Sequence, residues 1–148
     1  MKKRNLMFFA GVLGIAALAA GRATEEDIAT MREAVEVMER SQKDPEAYIE
    51  ADLDFHLALA EAVANPLILS LIDSIVGLLR EQRIRIFNVE GGPQRGQVHH
   101  KRILAAMEQR DSEMARTAMR AHLEQVREDS KAPNGISISP RRKHAPPS

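Results

Sequence analysis

Asp44-Pro45-Glu46-Ala47-Tyr48-Ile49-Glu50-Ala51-Asp52-Leu53-Asp54-Phe55-His56-Leu57-Ala58-Leu59 reads as a helix by each local criterion. Asp44 before Pro45 is an N-cap followed by a first helical residue, because the first turn leaves unbonded the N–H that proline lacks. Behind them Tyr48, Ile49, Asp52, Leu53, Phe55, His56, Leu59 and Val63 recur one helical turn apart, and β-type alternation is absent. Asp52 and His56 are four residues apart and so share a face, set among apolar side chains. Such a pair often makes only a local hydrogen bond. Asp54 lies off that face and reads as a solvated acid.

The helical reading extends in both directions. Asn65-Pro66 repeats the cap device and opens a helix through Leu67, Leu71, Ile75, Leu78 and Leu79 toward Phe87. Arg80, Arg83 and Arg85 lie near its end, where cations suit the helix dipole. Asn88 to Gln97, with Gly91-Gly92-Pro93 and Gly96, is expected to be a connection. It lacks the Lys-Ser/Thr of a phosphate loop. Val98 to Gln109 is helical again, with Ile103, Leu104 and Met107 inward, and Asp111 caps a last helix to about Asp129. Toward the amino terminus, Ile28, Met31, Val35 and Met38 mark an amphipathic helix over Glu25 to Arg40, capped by Thr24.

Two terminal segments stand apart. Lys2-Lys3-Arg4 followed by apolar Leu6 to Ala20 has the layout of a signal peptide. It is short for a membrane span, and a buried first helix accounts for more of its residues. The division expected is an apolar segment at 1–15 joining the first helix, one helical ligand-binding domain at 16–130, and a disordered basic, proline-rich tail at 131–148.

Composition narrows the chemistry. A chain of 148 residues suits one domain. Lysine plus arginine and aspartate plus glutamate are both 21, so no overall field attracts nucleic acid or an anionic membrane. There is no cysteine or tryptophan and one tyrosine, while strong helix formers abound; the fold class is all-α. Without thiolates, histidine and carboxylate are the strong ligands left, a set that favours zinc, nickel, manganese or iron.

Two further histidines sit on apolar stripes: His100 with Leu104 and Met107, and His122 with Ala115, Ala118 and Met119. Buried imidazoles need partners. Asp52, His56, His100 and His122 are therefore candidate ligands of one buried metal ion. His99 adjoins His100 but points about 100° away. Four protein ligands leave positions for water or a ligand oxygen. Arg80, Arg83, Arg85 and Arg102 are candidates to clamp an anion there, and Asn65 is a further candidate effector contact. Hydrolysis would need a placed base, and Glu61 is the nearby acid.

Several stretches resemble the FCD domain, the effector-binding carboxyl-terminal half of FadR-type GntR transcription regulators. Leu18 to Ile28 resembles its turn between first helices, and Asp52 to His56 its "D-x-x-FH". Ala60 to Leu67 is similar to its helix junction at Asn-Pro, and His100 to Met107 with Asp111, Ala115, Met119, His122 and Leu123 resembles its last two helices. His99 stands where the family usually has glutamate, and Met1 to Leu13 replaces its usual polar first helix.

The resemblance implies an antiparallel bundle of about six helices that forms a homodimer in the cytoplasm. It implies a divalent ion held by Asp52, His56, His100 and His122, with zinc expected first and nickel or manganese as alternatives. It also implies a small organic acid as effector, and Arg80, Arg83, Arg102 and Asn65 are the residues expected to touch it. Operator DNA would be reached only through a winged helix-turn-helix that precedes the domain in the family; the chain is expected to be a truncated regulator lacking that module, with no membrane partner. The expected role is sensing, without enzyme activity. The alternatives are a small His/Asp metallohydrolase and, from the first 20 residues alone, an exported protein.

Overall fold

A computed structural model of the chain describes residues 3–133, with side chains from residue 11 onward. Six helices make up this span: α1 (Lys3–Arg22), α2 (Glu25–Arg40), α3 (Pro45–Ala62), α4 (Pro66–Phe87), α5 (Gly92–Glu108) and α6 (Ser112–Ser130). Connections of a few residues force neighbours to run antiparallel. The expected tail from residue 134 lies outside the described residues.

Local chemistry starts four of the helices. Thr24 accepts a bond from Asp27 N while Asp27 returns one to Thr24 N, a capping box at α2. Asp44 accepts from Ala47 N at α3, Asn65 from Leu67 N at α4 and Asp111 from Met114 N at α6. Pro45 and Pro66 occupy the first turns of α3 and α4.

The helix α5 corrects one expectation. It begins at Gly92, so most of the segment expected to be a connection is helical. Gly91, at φ +70°, makes the turn into it, and Pro93 falls in a first turn that needs no N–H from it. The Tyr48 hydroxyl donates to Pro93 O at 3.0 Å. A Cβ on Gly92 would lie 2.2 Å from Ile86 O, so only glycine lets the end of α4 pass that close.

The core is a column of small and flexible side chains. Ala16, Ala19 and Ala20 of α1, Met31 and Met38 of α2, Phe55 of α3, Ile103 and Met107 of α5 and Ala115 and Met119 of α6 are all buried within it. Alanines along α1 let it pack closely on α6, and Ser112 Oγ donates to Ala17 O at 3.0 Å across that contact. Arg22 reaches Val63 O at 3.1 Å, and Arg110 donates to Ala23 O.

The helix α4 is the exception. It packs mainly on α3, and of its residues only Ile86 is buried. Leu67, Leu71 and Leu78 are 68%, 58% and 67% exposed, so its leucines form an outward stripe. No helix among the described residues is long and apolar enough to cross a membrane.

Candidate metal centre

The helices α5 and α6 turn one polar group each, and α3 two, onto a common point. Asp52 and His56 stand one turn apart on α3, while His100 comes from α5 and His122 from α6. The imidazole centroids are 5.6 Å apart for His56 and His100, 5.3 Å for His56 and His122, and 4.8 Å for His100 and His122. One ring nitrogen from each of the three lies within 4.8 Å of the others. Asp52, His100 and His122 are buried, and the His56 side chain is 16% exposed.

The inward-facing atoms lack ordinary partners. Asp52 Oδ1 lies 3.0 Å from His56 Nε2 and 3.4 Å from His100 Nε2. Yet this oxygen and the Nε2 atoms of all three histidines are buried without an aligned hydrogen bond. Orphaned buried polar atoms are rare. Four that converge from three helices, with imidazole and carboxylate chemistry, fit a divalent cation.

Electrostatics favours the ligand forms. Burial opposes ionisation of Asp52, but Arg83, whose Nε is 3.3 Å from Oδ2, together with His100 and His56 holds its carboxyl well below the usual range. Burial pushes His56 down to about 4, against the pull of Asp52. Burial, with His100 and His56 alongside, holds His122 well below the ordinary histidine value. At neutral pH the centre thus holds an anionic carboxylate beside His56 and His122 in the neutral form that can ligate.

The residues expected to contact an effector are divided. Arg83 faces the centre, its side chain 10% exposed. Arg80 pairs with Glu50 on the surface, Arg102 is exposed on α5 and Asn65 is used as the cap of α4. Of these four, the structure brings only Arg83 to the cluster of Asp52 and the three histidines. A small cavity beside Asp52 and Arg83, lined also by Tyr48, Gly96 and Gln125, has room for about one water molecule.

Sequence reasoning overlooked the outer layer. Gln97 Oε1 is 3.2 Å from His100 Nδ1, and Gln125 Oε1 is 3.2 Å from His122 Nδ1. Each glutamine is three residues from its histidine along the helix. That spacing is the signal for these contacts. His99, by contrast, is a half-buried neighbour whose ring centroid is 6.0 Å from that of His122.

Fold and site define an all-α domain organised around a buried cluster of one carboxylate and three imidazoles. Residues 13–125 match the family described as the FCD domain. The chain belongs to that family, the effector-binding regulatory domain of GntR-family transcription regulators. It is 35% identical over 119 residues to the HTH-type transcriptional regulator LutR of Bacillus subtilis, covering 77% of this chain and 54% of that protein. It is 35% identical over 132 residues to the Uxu operon transcriptional regulator of Escherichia coli, covering 77% and 47%. With the HTH-type transcriptional repressor NanR of Salmonella newport the identity is 30% over 110 residues, covering 73% and 42%. The chain spans about half the length of the curated relatives it matches.

Proposed function

We propose that the chain is a metal-dependent sensor of small organic acids acting in transcription regulation. Asp52, His56, His100 and His122 would hold one divalent ion, zinc foremost, with nickel or manganese as alternatives. The carrying observation is the set of four inward atoms without aligned hydrogen bonds. When bound, the ion supplies open positions for a carboxylate oxygen. Arg83 is placed to pair with a second oxygen of the same acid, exchanging its contact with Asp52 for one with the ligand.

The sensor works as a homodimer through the exposed leucines of α4, and reaches operator DNA through a winged helix-turn-helix module; LutR and NanR are HTH-type regulators. The roles of LutR, the Uxu operon regulator and NanR as transcriptional regulators support binding over catalysis. Glu61, the base a metallohydrolase would call on, is exposed and stands about 140° around α3 from His56.

Metal analysis after metal-replete purification is expected to return about one ion per chain, and His100→Ala with His122→Ala should abolish it while the helical signal persists. An intact fold that takes up no ion overturns the metal reading. Small carboxylic acids should bind saturably only to the loaded protein; turnover of esters or amides that vanishes in His56→Ala would favour the hydrolase instead.

A further inference from the structure

We infer that Gln97 and Gln125 are positioning residues that hold His100 and His122 in the Nδ1–H tautomer, so that both Nε2 lone pairs face the centre. The inference rests on the metal reading above for its purpose, but its evidence lies in the hydrogen-bond pattern of the outer layer.

A glutamine amide can present either end to an imidazole, and its other contacts decide which. The Gln97 Nε2 donates to Val35 O at 2.8 Å and to Glu39 Oε2 at 3.1 Å. Both partners are acceptors, so this end must be the NH2 group. Glu39 is itself held by Lys101 Nζ at 3.0 Å. The oxygen therefore points at His100 Nδ1, and a hydrogen bond at 3.2 Å forms only if that nitrogen carries the proton. The other tautomer would set two lone pairs against each other at 3.2 Å, closer than the 3.4 Å at which the Nδ1–H form leaves Nε2 facing Asp52 Oδ1. Gln97 is 3% exposed, so water cannot readily replace the contact.

Gln125 repeats the device from the other side. Its Nε2 donates to Asp129 Oδ2 at 2.6 Å, which leaves Oε1 for His122 Nδ1 at 3.2 Å. Asp129 is buried and fixed by Arg95, whose Nη2 and Nε reach Oδ1 at 2.7 and 3.1 Å. The chain Arg95, Asp129, Gln125, His122 thus runs from the rim of α5 to the centre. Asp129 acts through Gln125, and Glu39 through Gln97. Outer partners of this kind orient ligating imidazoles and raise their basicity.

The test begins with the unaltered, metal-free protein at about pH 8, where free imidazoles are neutral. Imidazole 15N shifts should report Nδ1–H at both His100 and His122; an Nε2–H form at either overturns the inference for that residue. Gln97→Met and Gln125→Met remove the acceptor at similar volume. Each should produce a tautomer mixture at its own histidine and weaken zinc about 10- to 100-fold in a chelator-competition titration. The exchange Gln125→Glu with Asp129→Asn keeps an oxygen at His122 and a donor behind it, and should restore most of the affinity lost in Gln125→Met. Unchanged tautomers and affinity in folded methionine variants overturn the inference. Unaltered protein that shows both Nδ1–H forms yet takes up no zinc supports the inference and overturns the metal reading.

Discussion

His56 ties the chemistry of the centre to acid sensitivity. Its pKa is about 4 in the fold against an ordinary 6.5, so between those values the unfolded chain binds more protons than the folded one. Stability of the metal-free protein therefore rises with pH across this window and falls as acid is added, by at most about 1.4 kcal/mol per pH unit for this group. His122 is shifted in the same direction. Asp52, depressed from 3.8, adds a further loss as pH drops below that value. Urea midpoints measured from pH 7 down to 4 should fall, and His56→Gln should flatten the profile; a flat profile in the unaltered chain would contradict the burial of these imidazoles. The convergence of Asp52, His56, His100 and His122 was legible because each interrupts an apolar stripe. Which arginine faces them was not, since Arg80 and Arg83 lie on one helix and only the docking of α4 on α3 separates them. Gln97 escaped notice because it ended the stretch expected to be a connection, and Gln125 because an amide near Glu124, Arg127 and Glu128 looks like ordinary surface.

At the scale of elements, helix starts were legible where cap chemistry is local, as at Thr24, Asp44, Asn65 and Asp111. The start of α5 was not: Gly91-Gly92-Pro93 has poor helix propensity, and tertiary contacts from Tyr48 and Ile86 fix it there. One junction also carries avoidable strain. Between α3 and α4 the chain turns at Ala64, with φ +57°, a left-handed position just past the helix end where glycine is the favoured residue. An alanine there is disfavoured by about 1 kcal/mol, partly offset by the greater freedom of glycine in the unfolded chain. Ala64→Gly should therefore raise stability by roughly 0.5–1 kcal/mol, seen as a higher melting temperature with unchanged metal content. A lower melting temperature would show that the side chain at this position contributes more than the backbone loses.

For the whole molecule, the telling surface is α4. Helical geometry puts Leu67, Leu71, Ser74 and Leu78 within about 60° of one another around its axis, and the three leucines are largely exposed. Periodicity in the sequence showed an apolar stripe but not that this chain leaves it uncovered. An antiparallel second copy crossing near Ser74 would cover it, with Glu81 and Arg85 at the ends. Leu71→Arg with Leu78→Arg should convert the proposed dimer to a monomer in sedimentation velocity, at constant helical content because neither leucine is buried in the core. A mass that stays the same would place the interface elsewhere.

The missing side chain of Gly92 works as a clearance gauge. It sets how near the last turn of α4 comes to the first turn of α5, at Ile86 O. Arg83 lies about one turn before that touch point, and Gln97 and His100 lie on the helix that begins there. The separation between arginine and imidazole thus depends in part on the methyl group that Gly92 lacks. Gly92→Ala should wedge the two helices apart, lowering stability by about 1–3 kcal/mol in urea unfolding and loosening the Arg83 contact with Asp52. The narrowest tolerance in this domain is expected at a residue with no chemistry of its own.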